Sequence, residues 1–188
     1  MQSPDDRRGR STGFISDVET IRRRAREHME RGAVTPSYPE GRLEICELLN
    51  QALATELVCV LRYKKHYYSA RGGAGRQAAQ EFLEHANEEQ EHADRIAERI
   101  VQLGGDPDLN PGSLLARSHS EYDTHEELRD MLEADLFAER IAIETYREMV
   151  RFLGDRDPTS RRMIEDILAV EEEHADDLVD LLQDMPAT

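Results

Sequence analysis

Apolar residues recur along most of this chain at intervals of three and four positions, which is the period of an α-helix with one buried face. The clearest case is residues 43–70, where one stripe is formed by Leu49, Leu53, Val60 and Tyr63. Comparable stretches cover residues 76–103, 124–154 and 157–182, and a shorter one follows Ser16. No stretch alternates apolar and polar positions as a half-buried β-strand would. The pattern therefore predicts an all-α fold with five helices.

Capping signals place the starts of three of these helices. Ser16 followed by Glu19 forms a capping box, which would open the first helix. Thr124 followed by Glu127 forms a second capping box, which would open the fourth helix. The fifth helix is predicted to start at residues 157–158, where an aspartate N-cap is followed by a proline at the first helical position.

The lengths of the connections predict how the helices are arranged. Short turns join the second helix to the third, at Gly72–Gly73, and the fourth to the fifth, so each pair would form an antiparallel hairpin. About twenty proline-containing residues after Gly104 separate the hairpins, and a link of this length can span a bundle. We therefore predict a ferritin-like antiparallel four-helix bundle with one long crossover in residues 43–188. Residues 1–42 would form an N-terminal extension with one extra helix and a proline-containing loop.

Charge and composition limit the classes of partner. The net charge is −16, and residues 1–42 hold nine Lys/Arg against seven Asp/Glu, so the acidic excess lies in the predicted bundle. Such an acidic body repels nucleic acid and attracts cations. No apolar run reaches the roughly 18 residues of a membrane span. Only two cysteines occur, so no disulfide framework is indicated. These features predict a soluble, cytoplasmic protein that binds no membrane.

The first predicted helix, which would run to Gly32, carries a group of basic residues at Arg22, Arg23, Arg24 and Arg26. Acidic residues lie among them, so we favour packing of this helix on the acidic bundle or on a neighbouring subunit. The alternative is a nucleic-acid-binding tail.

The sequence E-x-E-H-A-D occurs twice, at residues 89–94 and 171–176. Each copy pairs a glutamate with a histidine three positions later, and such residues share one helix face. The two pairs are Glu89/His92 and Glu171/His174. In so acidic a chain this spacing alone is close to what chance would give, so its position in the fold decides whether it has meaning.

Both copies lie near the middle of their predicted helices, and the helix before each carries a glutamate at the same level. Glu56 precedes Glu89 by 33 residues, and Glu139 precedes Glu171 by 32. Glu56 and Glu139 also fall on the apolar faces of their helices. A tyrosine follows each of these two glutamates by seven positions, at Tyr63 and Tyr146.

Four carboxylates buried at one level of a bundle need compensating charge, because an unpaired buried charge is strongly unfavourable. Two divalent cations would neutralise them. The predicted dinuclear site takes one ligand each from Glu56 and Glu139 and two paired sets, Glu89/His92 and Glu171/His174. Its oxygen-rich ligands suit iron or manganese, and zinc could also bind. The alternative is a solvated acidic stripe, which does not explain charges on apolar faces.

Four segments resemble the core helices of bacterioferritin and related ferritin-like proteins: "LLNQALATELVCVLRY", "EEQEHADRIAERIVQLGG", "DLFAERIAIETY" and "AVEEEHADDL". The resemblance implies a ferroxidase that binds two iron ions per subunit and oxidises Fe²⁺ with O₂ or H₂O₂. The Fe³⁺ product would enter a mineral core inside a hollow homo-oligomer. By the same resemblance, Tyr63 would donate a hydrogen bond near the metals or be redox-active, and the six ligands and Tyr63 would be the catalytic residues.

The chain departs from the bacterioferritin pattern in two places. Bacterioferritin has a haem-ligating methionine directly after the third-helix glutamate, and here Gln90 stands at that position, which argues against haem. The extra helix lies at the N-terminus rather than after the bundle, so a twelve-subunit cage is favoured over one of 24 subunits. Two alternative functions remain open: a DNA-protecting nucleoid binder of the Dps type, and a diiron or dimanganese peroxidase or catalase that stores no iron.

His85 lies on the same stripe as the third-helix ligands, four residues before Glu89. It could bind a transient third metal ion on an access route. The favoured interpretation is a hydrogen-bonded histidine at the edge of the bundle.

Overall fold

The computed structural model describes residues 17–38, 41–70 and 72–185. These ranges contain six α-helices and no β-strand. The helices are α1 (Val18–Arg26), α2 (Arg42–Ser69), α3 (Gly72–Gln102), α4 (Leu114–Arg117), α5 (Leu128–Leu153) and α6 (Pro158–Asp184), with a 3₁₀ turn at Met29–Arg31.

Two helical hairpins build the bundle. Helix α2 packs along α3, and α5 packs along α6. The hairpins meet through contacts of α2 with α5 and of α3 with α6. The crossover between them runs through residues 103–127 and includes the one-turn helix α4, which packs on α2. The predicted all-α, four-helix bundle with one long crossover and an extra N-terminal helix is confirmed.

The apolar core of the bundle is divided into two clusters. One cluster includes Leu49, Ile96, Tyr146 and Ile164, together with their apolar neighbours towards one end of the bundle. The other includes Tyr63, Phe82, Met131 and Leu178, towards the opposite end. Between these clusters each of the four long helices contributes buried polar side chains, so the charged centre of the bundle has an apolar layer towards either end.

The start of α6 is fixed by its cap. Asp157 is the N-cap residue, with Pro158 following it, as predicted. Its carboxylate accepts hydrogen bonds from the Ser160 backbone N–H at 3.1 Å and from the guanidinium of Arg99 on α3 at 2.8 Å. The cap therefore also joins the two hairpins.

The predicted start of α5 is wrong. The helix begins at Leu128, and Glu127 stands at the N-cap position without a side-chain capping bond. The Thr124 capping box does not form because Asp123 organises this segment: its carboxylate accepts the backbone N–H of His125 at 2.7 Å. A local side-chain turn thus displaces the first turn of the helix.

Two further boundaries differ from the prediction. Helix α1 ends at Arg26 rather than Gly32, and its cap is Asp17, whose side chain accepts the Thr20 N–H; Ser16 lies outside the described residues. Gly72, predicted to end α2, instead opens α3 with a φ of +77°. Glycine adopts this left-handed backbone without strain, so the chain reverses within a very short turn.

Helix α1 contributes nothing to the core of the described chain, because none of its residues is buried. The predicted packing of this helix on its own bundle is therefore not observed. A short helix without a buried face gains little from extension, which accounts for its early end. Among the described residues, no helix is both long and apolar enough to cross a bilayer.

Candidate metal centre

Six side chains from the four long helices meet between the two apolar clusters. None of them is more than 3% exposed. They are Glu56 on α2, Glu89 and His92 on α3, Glu139 on α5, and Glu171 and His174 on α6. Every residue that the sequence predicts as a metal ligand is thus brought to one place, because all six lie at the same depth along their helices.

The six residues form two overlapping sets of ligand atoms. One set is Glu56, Glu89, His92 and Glu171; the other is Glu89, Glu139, Glu171 and His174. Within each set the ligand atoms lie within 4.8 Å of one another. Glu89 and Glu171 belong to both sets, so these two carboxylates are placed to bridge a pair of ions.

Distances from the imidazoles support the bridging arrangement. Nδ1 of His92 lies 3.0 Å from Glu171 Oε1 and 3.7 Å from Glu89 Oε2. Nδ1 of His174 lies 3.5 Å from Glu171 Oε2 and 3.8 Å from Glu89 Oε1. Each shared carboxylate therefore directs one oxygen towards each histidine, as a bridging ligand does.

The site has many buried polar atoms without hydrogen-bond partners. In the described part of the chain, eleven buried side-chain nitrogen and oxygen atoms lack a partner, and seven of them belong to these six residues. They include Nδ1 of both histidines and both carboxylate oxygens of Glu171. Buried polar atoms are almost always paired. Metal coordination would satisfy all seven, so the residues present fit a dinuclear site.

Tyrosines from opposite hairpins hold the two terminal carboxylates. The Tyr63 hydroxyl on α2 donates to Glu139 Oε1 on α5, and the Tyr146 hydroxyl on α5 donates to Glu56 Oε1 on α2. The other oxygen of each glutamate, Oε2, has no partner among the described residues. Each tyrosine thus fixes one oxygen and leaves the second directed into the site. The sequence predicts the role of Tyr63 but not the exchange between hairpins.

Burial and mutual repulsion control protonation of the site. Burial raises the pKa of Glu89 and Glu139 well above the usual carboxyl range, and the nearby charge of Glu171 raises both further. Burial would also raise the pKa of Glu171, but contacts with His174 and His92 outweigh it and lower that pKa. Burial opposes the charging of His92, yet its contacts with Glu171 and Glu56 raise its pKa to about 10. Without metal, the site therefore holds protons that cations must displace.

His174 is also held from outside the site. Its Nε2 lies 2.7 Å from Glu88 Oε2, which leaves Nδ1 facing the carboxylates. A carboxylate that binds the far nitrogen of a ligating histidine orients the ring and fixes its tautomer. Nothing in the sequence distinguishes Glu88 from the other glutamates of the solvated acidic face. Its role is evident only from its contact with His174, which joins α3 to α6.

A buried ion pair near the site is absent from the sequence predictions. Arg62 on α2 is 1% exposed and donates from Nε to Asp135 Oδ1 at 2.8 Å. Nδ1 of His66 lies 2.7 Å from the other oxygen of Asp135. Arg62 also donates to Ser120 Oγ and to the Glu121 carbonyl, so it ties the crossover to the bundle. Arg62 lies on the face of α2 that meets the crossover, away from the predicted apolar stripe, so the sequence offers no signal for this ion pair.

Two other residues singled out in the sequence have clear positions. Gln90 is half-buried, and its Nε2 donates to Asp94 Oδ1 on the same helix at 2.9 Å. His85 is buried beside His174, and burial, followed by the charge of His174, lowers its pKa to about 3. Neither of its ring nitrogens has a hydrogen-bond partner within the described ranges, so the favoured interpretation of His85 is wrong.

Comparison with known proteins agrees with the four-helix bundle. The family model "Ferritin: Ferritin-like domain" matches residues 46–188. A nutrient stress-induced DNA-binding protein of Synechococcus sp. is 35% identical over 137 residues, covering 70% of this chain and 77% of that protein. A bacterioferritin of Brucella melitensis is 33% identical over 140 residues, covering 73% and 81%.

Solved structures show the same likeness. The dodecameric thioferritin of Bacteroides fragilis, a bacterioferritin-related protein, superposes with a TM-score of 0.73 at 34% identity. The superposition covers 76% of this chain and 86% of that one. The family match extends over most of the chain and contains all six residues of the candidate metal centre, and we conclude that this protein belongs to the ferritin-like family.

Proposed function

We propose that this protein is a ferroxidase that binds two Fe²⁺ ions as substrate between its four long helices. One ion would bind Glu56 and His92, the other would bind Glu139 and His174, and Glu89 and Glu171 would bridge them. The pair supplies two electrons, which reduce O₂ to H₂O₂ or H₂O₂ to water with uptake of two protons. The Fe³⁺ product would be stored inside a hollow oligomer.

The observation that carries this proposal is the set of seven unpartnered polar atoms that converge at one level of the bundle. Four carboxylates balance the charge of two divalent cations, and one imidazole per ion completes a ligand set that suits iron or manganese. Oxidation adds two positive charges that the same carboxylates do not balance. This excess must be balanced by anions from solvent or relieved by movement of the Fe³⁺ product to the store.

The chain's own groups have separate tasks in this scheme. Tyr63 and Tyr146 orient the terminal carboxylates, and burial together with nearby carboxylates raises the pKa of both phenols well above 10, so they remain donors. The apolar clusters on both sides limit access of water to the ions. His92 and the raised-pKa carboxyls Glu89 and Glu139 would release protons as Fe²⁺ binds.

Storage would require a closed oligomer in the cytoplasm, and we propose twelve subunits. The supporting observation is the likeness to the dodecameric thioferritin of Bacteroides fragilis at 34% identity. Half-buried apolar residues along α5, such as Leu136 and Ile143, and the exposed Phe137 offer surface for contacts between subunits.

Aerobic Fe²⁺ oxidation tests the enzymatic part of the proposal. Glu56→Gln keeps an acceptor for Tyr146 but removes one ligand charge, so the initial oxidation rate should fall by about 100-fold, in line with the loss of a directly acting group. Glu47→Gln, an exposed glutamate on the same helix, is the matched control and should oxidise iron at the wild-type rate. Equal rates in wild type and Glu56→Gln would contradict the proposed site.

The amount of iron that the protein retains distinguishes a storage protein from a peroxidase or catalase that consumes peroxide without storing iron. A storage protein should keep many more than two iron ions per subunit after repeated additions of Fe²⁺ in air, measured as protein-bound iron after gel filtration. Retention of only about two ions per subunit, with continuing peroxide consumption, would favour the non-storing alternative.

DNA protection is a second candidate function. It is favoured by the likeness to the DNA-binding protein of Synechococcus sp. and by the exposed arginines of α1. Gel retardation at increasing salt would compare the wild type with a variant carrying alanine at all four positions: Arg22, Arg23, Arg24 and Arg26. Salt-sensitive binding that the variant loses would support a DNA-binding function. No retardation by either protein at low salt would exclude it.

A further inference from the structure

A second group of metal-ligand side chains lies beside the dinuclear site. It consists of Glu81 and His85 on α3 and Asp177 on α6. Each residue offers one ligand atom, and the three atoms lie within 4.8 Å of one another. None of the three belongs to the six residues of the dinuclear site, so this group needs its own explanation.

His85 carries an unmet hydrogen-bonding requirement. The residue is 2% exposed, and neither Nδ1 nor Nε2 has a hydrogen-bond partner within residues 17–38, 41–70 and 72–185. Nε2 lies 3.6 Å from Asp177 Oδ2, which is too long for a hydrogen bond. A cation between His85 Nε2 and Asp177 Oδ2 would bind both atoms, whereas without a cation the two atoms form no hydrogen bond.

The imidazole of His85 is held in place by two aromatic neighbours. It stacks on His174 with ring centroids 4.0 Å apart and an interplanar angle of 22°. Tyr63 meets it edge-on, with centroids 5.2 Å apart. The group therefore touches a proposed ligand of the dinuclear site on one side. On the other side, the Asp177 side chain is 48% exposed, so the same group also reaches solvent.

The two carboxylates of the group lack basic partners. In the described chain neither Glu81 nor Asp177 forms a salt bridge with a lysine or arginine. Partial burial, followed by repulsion from neighbouring carboxylates, raises the pKa of both. A divalent cation would neutralise the pair and relieve this repulsion.

We propose that Glu81, His85 and Asp177 form a third divalent-cation site through which Fe²⁺ passes from solvent to the dinuclear centre. The proposal rests on the ferroxidase function above, because that function supplies the destination of the ion. Three protein ligands leave positions free for water, and such an incomplete ligand set suits an ion that binds and moves on. The half-exposed Asp177 would meet the incoming ion. Because His85 stacks on His174, the third site lies next to the ion position formed by Glu139 and His174.

Anomalous diffraction with Co²⁺, which air does not oxidise in this setting, locates each ion separately. The wild type should show three Co²⁺ peaks per subunit, one of them between His85 Nε2 and Asp177. Asp177→Asn should lose that peak and keep the two others. Asp176→Asn, the exposed neighbour on the same helix, is the charge-matched control and should keep all three. His85→Leu, of similar volume, provides an independent loss of the third peak.

The outcomes separate this proposal from the ferroxidase itself. Two filled dinuclear peaks without a third peak in the wild type would overturn the third site and leave the dinuclear site standing. A third peak without dinuclear peaks would contradict the proposed function instead. A third peak that is undiminished in both Asp177→Asn and His85→Leu would also overturn the assignment.

Loading kinetics test the role in transfer. Stopped-flow absorbance of Co²⁺ entering the dinuclear site should slow several-fold in Asp177→Asn relative to Asp176→Asn, while isothermal titration shows the same final occupancy of that site. Equal loading rates in the two variants would overturn the transfer role even if the third ion is bound.

Discussion

At the level of single residues, the two tyrosines decide which oxygens of Glu56 and Glu139 remain free for the proposed metal ions. Tyr63 and Tyr146 each reach across the bundle to the glutamate of the other hairpin and occupy its Oε1. The remaining oxygen of each glutamate then faces the shared carboxylates Glu89 and Glu171. The terminal ligands are thus positioned by residues outside the ligand set, in a way that also locks the two hairpins together.

Tyr63→Phe should therefore weaken both stability and metal binding. The substitution leaves a buried oxygen of Glu139 without its donor, so the free energy of unfolding should fall by about 1–2 kcal/mol. Loss of a group that orients a ligand typically lowers metal affinity by about 10–100-fold. Urea unfolding and Co²⁺ titration measure the two effects. Tyr68→Phe, at a tyrosine that is 69% exposed, should change neither, and equal behaviour of the two variants would refute this role of Tyr63.

Protons bound to the site predict how metal affinity depends on pH. Contacts with Glu171 and Glu56 raise the pKa of His92 to about 10, so this group holds a proton in the metal-free protein near neutral pH, and the pKa values of His174, Glu89 and Glu139 are raised as well. Metal binds their deprotonated forms, and each binding event must release protons. Affinity should therefore fall as the pH is lowered from about 8 to about 6. Calorimetry in buffers of different ionisation enthalpy should detect release of more than one proton per subunit; proton-independent binding would contradict it.

At the level of the elements, a buried guanidinium is one of several groups that fasten the crossover to the bundle. Arg62 donates to Asp135 on α5 and to the crossover at Ser120 and Glu121, all within 2.9 Å. Asp135 lies one helical turn before Glu139, so the same contacts help to set the rotation of α5 at the site. The crossover therefore helps to support the proposed metal centre.

Asp135→Ala should destabilise the protein strongly. It leaves the charge of Arg62 buried without its partner, which typically costs about 3–5 kcal/mol. Glu133→Ala, an exposed position on the same helix, is the control and should change the free energy of unfolding by less than about 0.5 kcal/mol. Denaturant unfolding of the metal-free proteins measures both. A loss at Asp135 no larger than that at Glu133 would show that Arg62 is satisfied without it.

Periodicity and spacing predicted the elements that depend on many residues at once. The long helices have apolar faces that continue over their whole length, and Glu56, Glu89, Glu139 and Glu171 lie at equal depth in them. Features decided by one or two contacts were not predictable. The Thr124 capping box does not form because the side chain of Asp123 makes a local turn instead. The contact between Arg62 and Asp135 joins residues 73 positions apart in the sequence. Helix α1 ended early because nothing in the described chain buries it.

At the scale of the whole molecule, the candidate metal centre lies between two apolar layers that the same four helices provide. Because the candidate ligands lie near the middle of each helix, the helix must have apolar residues both before and after its carboxylate, and these residues form the two layers. The strongly negative charge of the chain then raises the local concentration of cations around the bundle. The apolar layers and the negative charge of the chain would therefore both favour cation binding at the candidate metal centre.

The proposed cage predicts a definite mass. Light scattering coupled to gel filtration should give a species with twelve times the mass of the single chain, because the exposed Phe137 on α5 offers surface for a subunit contact and the comparison with the dodecameric thioferritin supports this number. Phe137→Glu places a charge at an exposed phenylalanine and should shift the protein towards smaller species. A stable monomer or a 24-subunit species in the wild type would refute the twelve-subunit proposal.

Each subunit is proposed to hold two iron ions between its four long helices. Anomalous diffraction at the iron edge, from crystals loaded with Fe²⁺ without oxygen, would locate these ions. Two peaks per subunit should appear, about 3.5–4 Å apart. One peak should lie between Glu56 and His92 and the other between Glu139 and His174, both in contact with Glu89 and Glu171. A single peak, or iron bound only at the protein surface, would refute the dinuclear site.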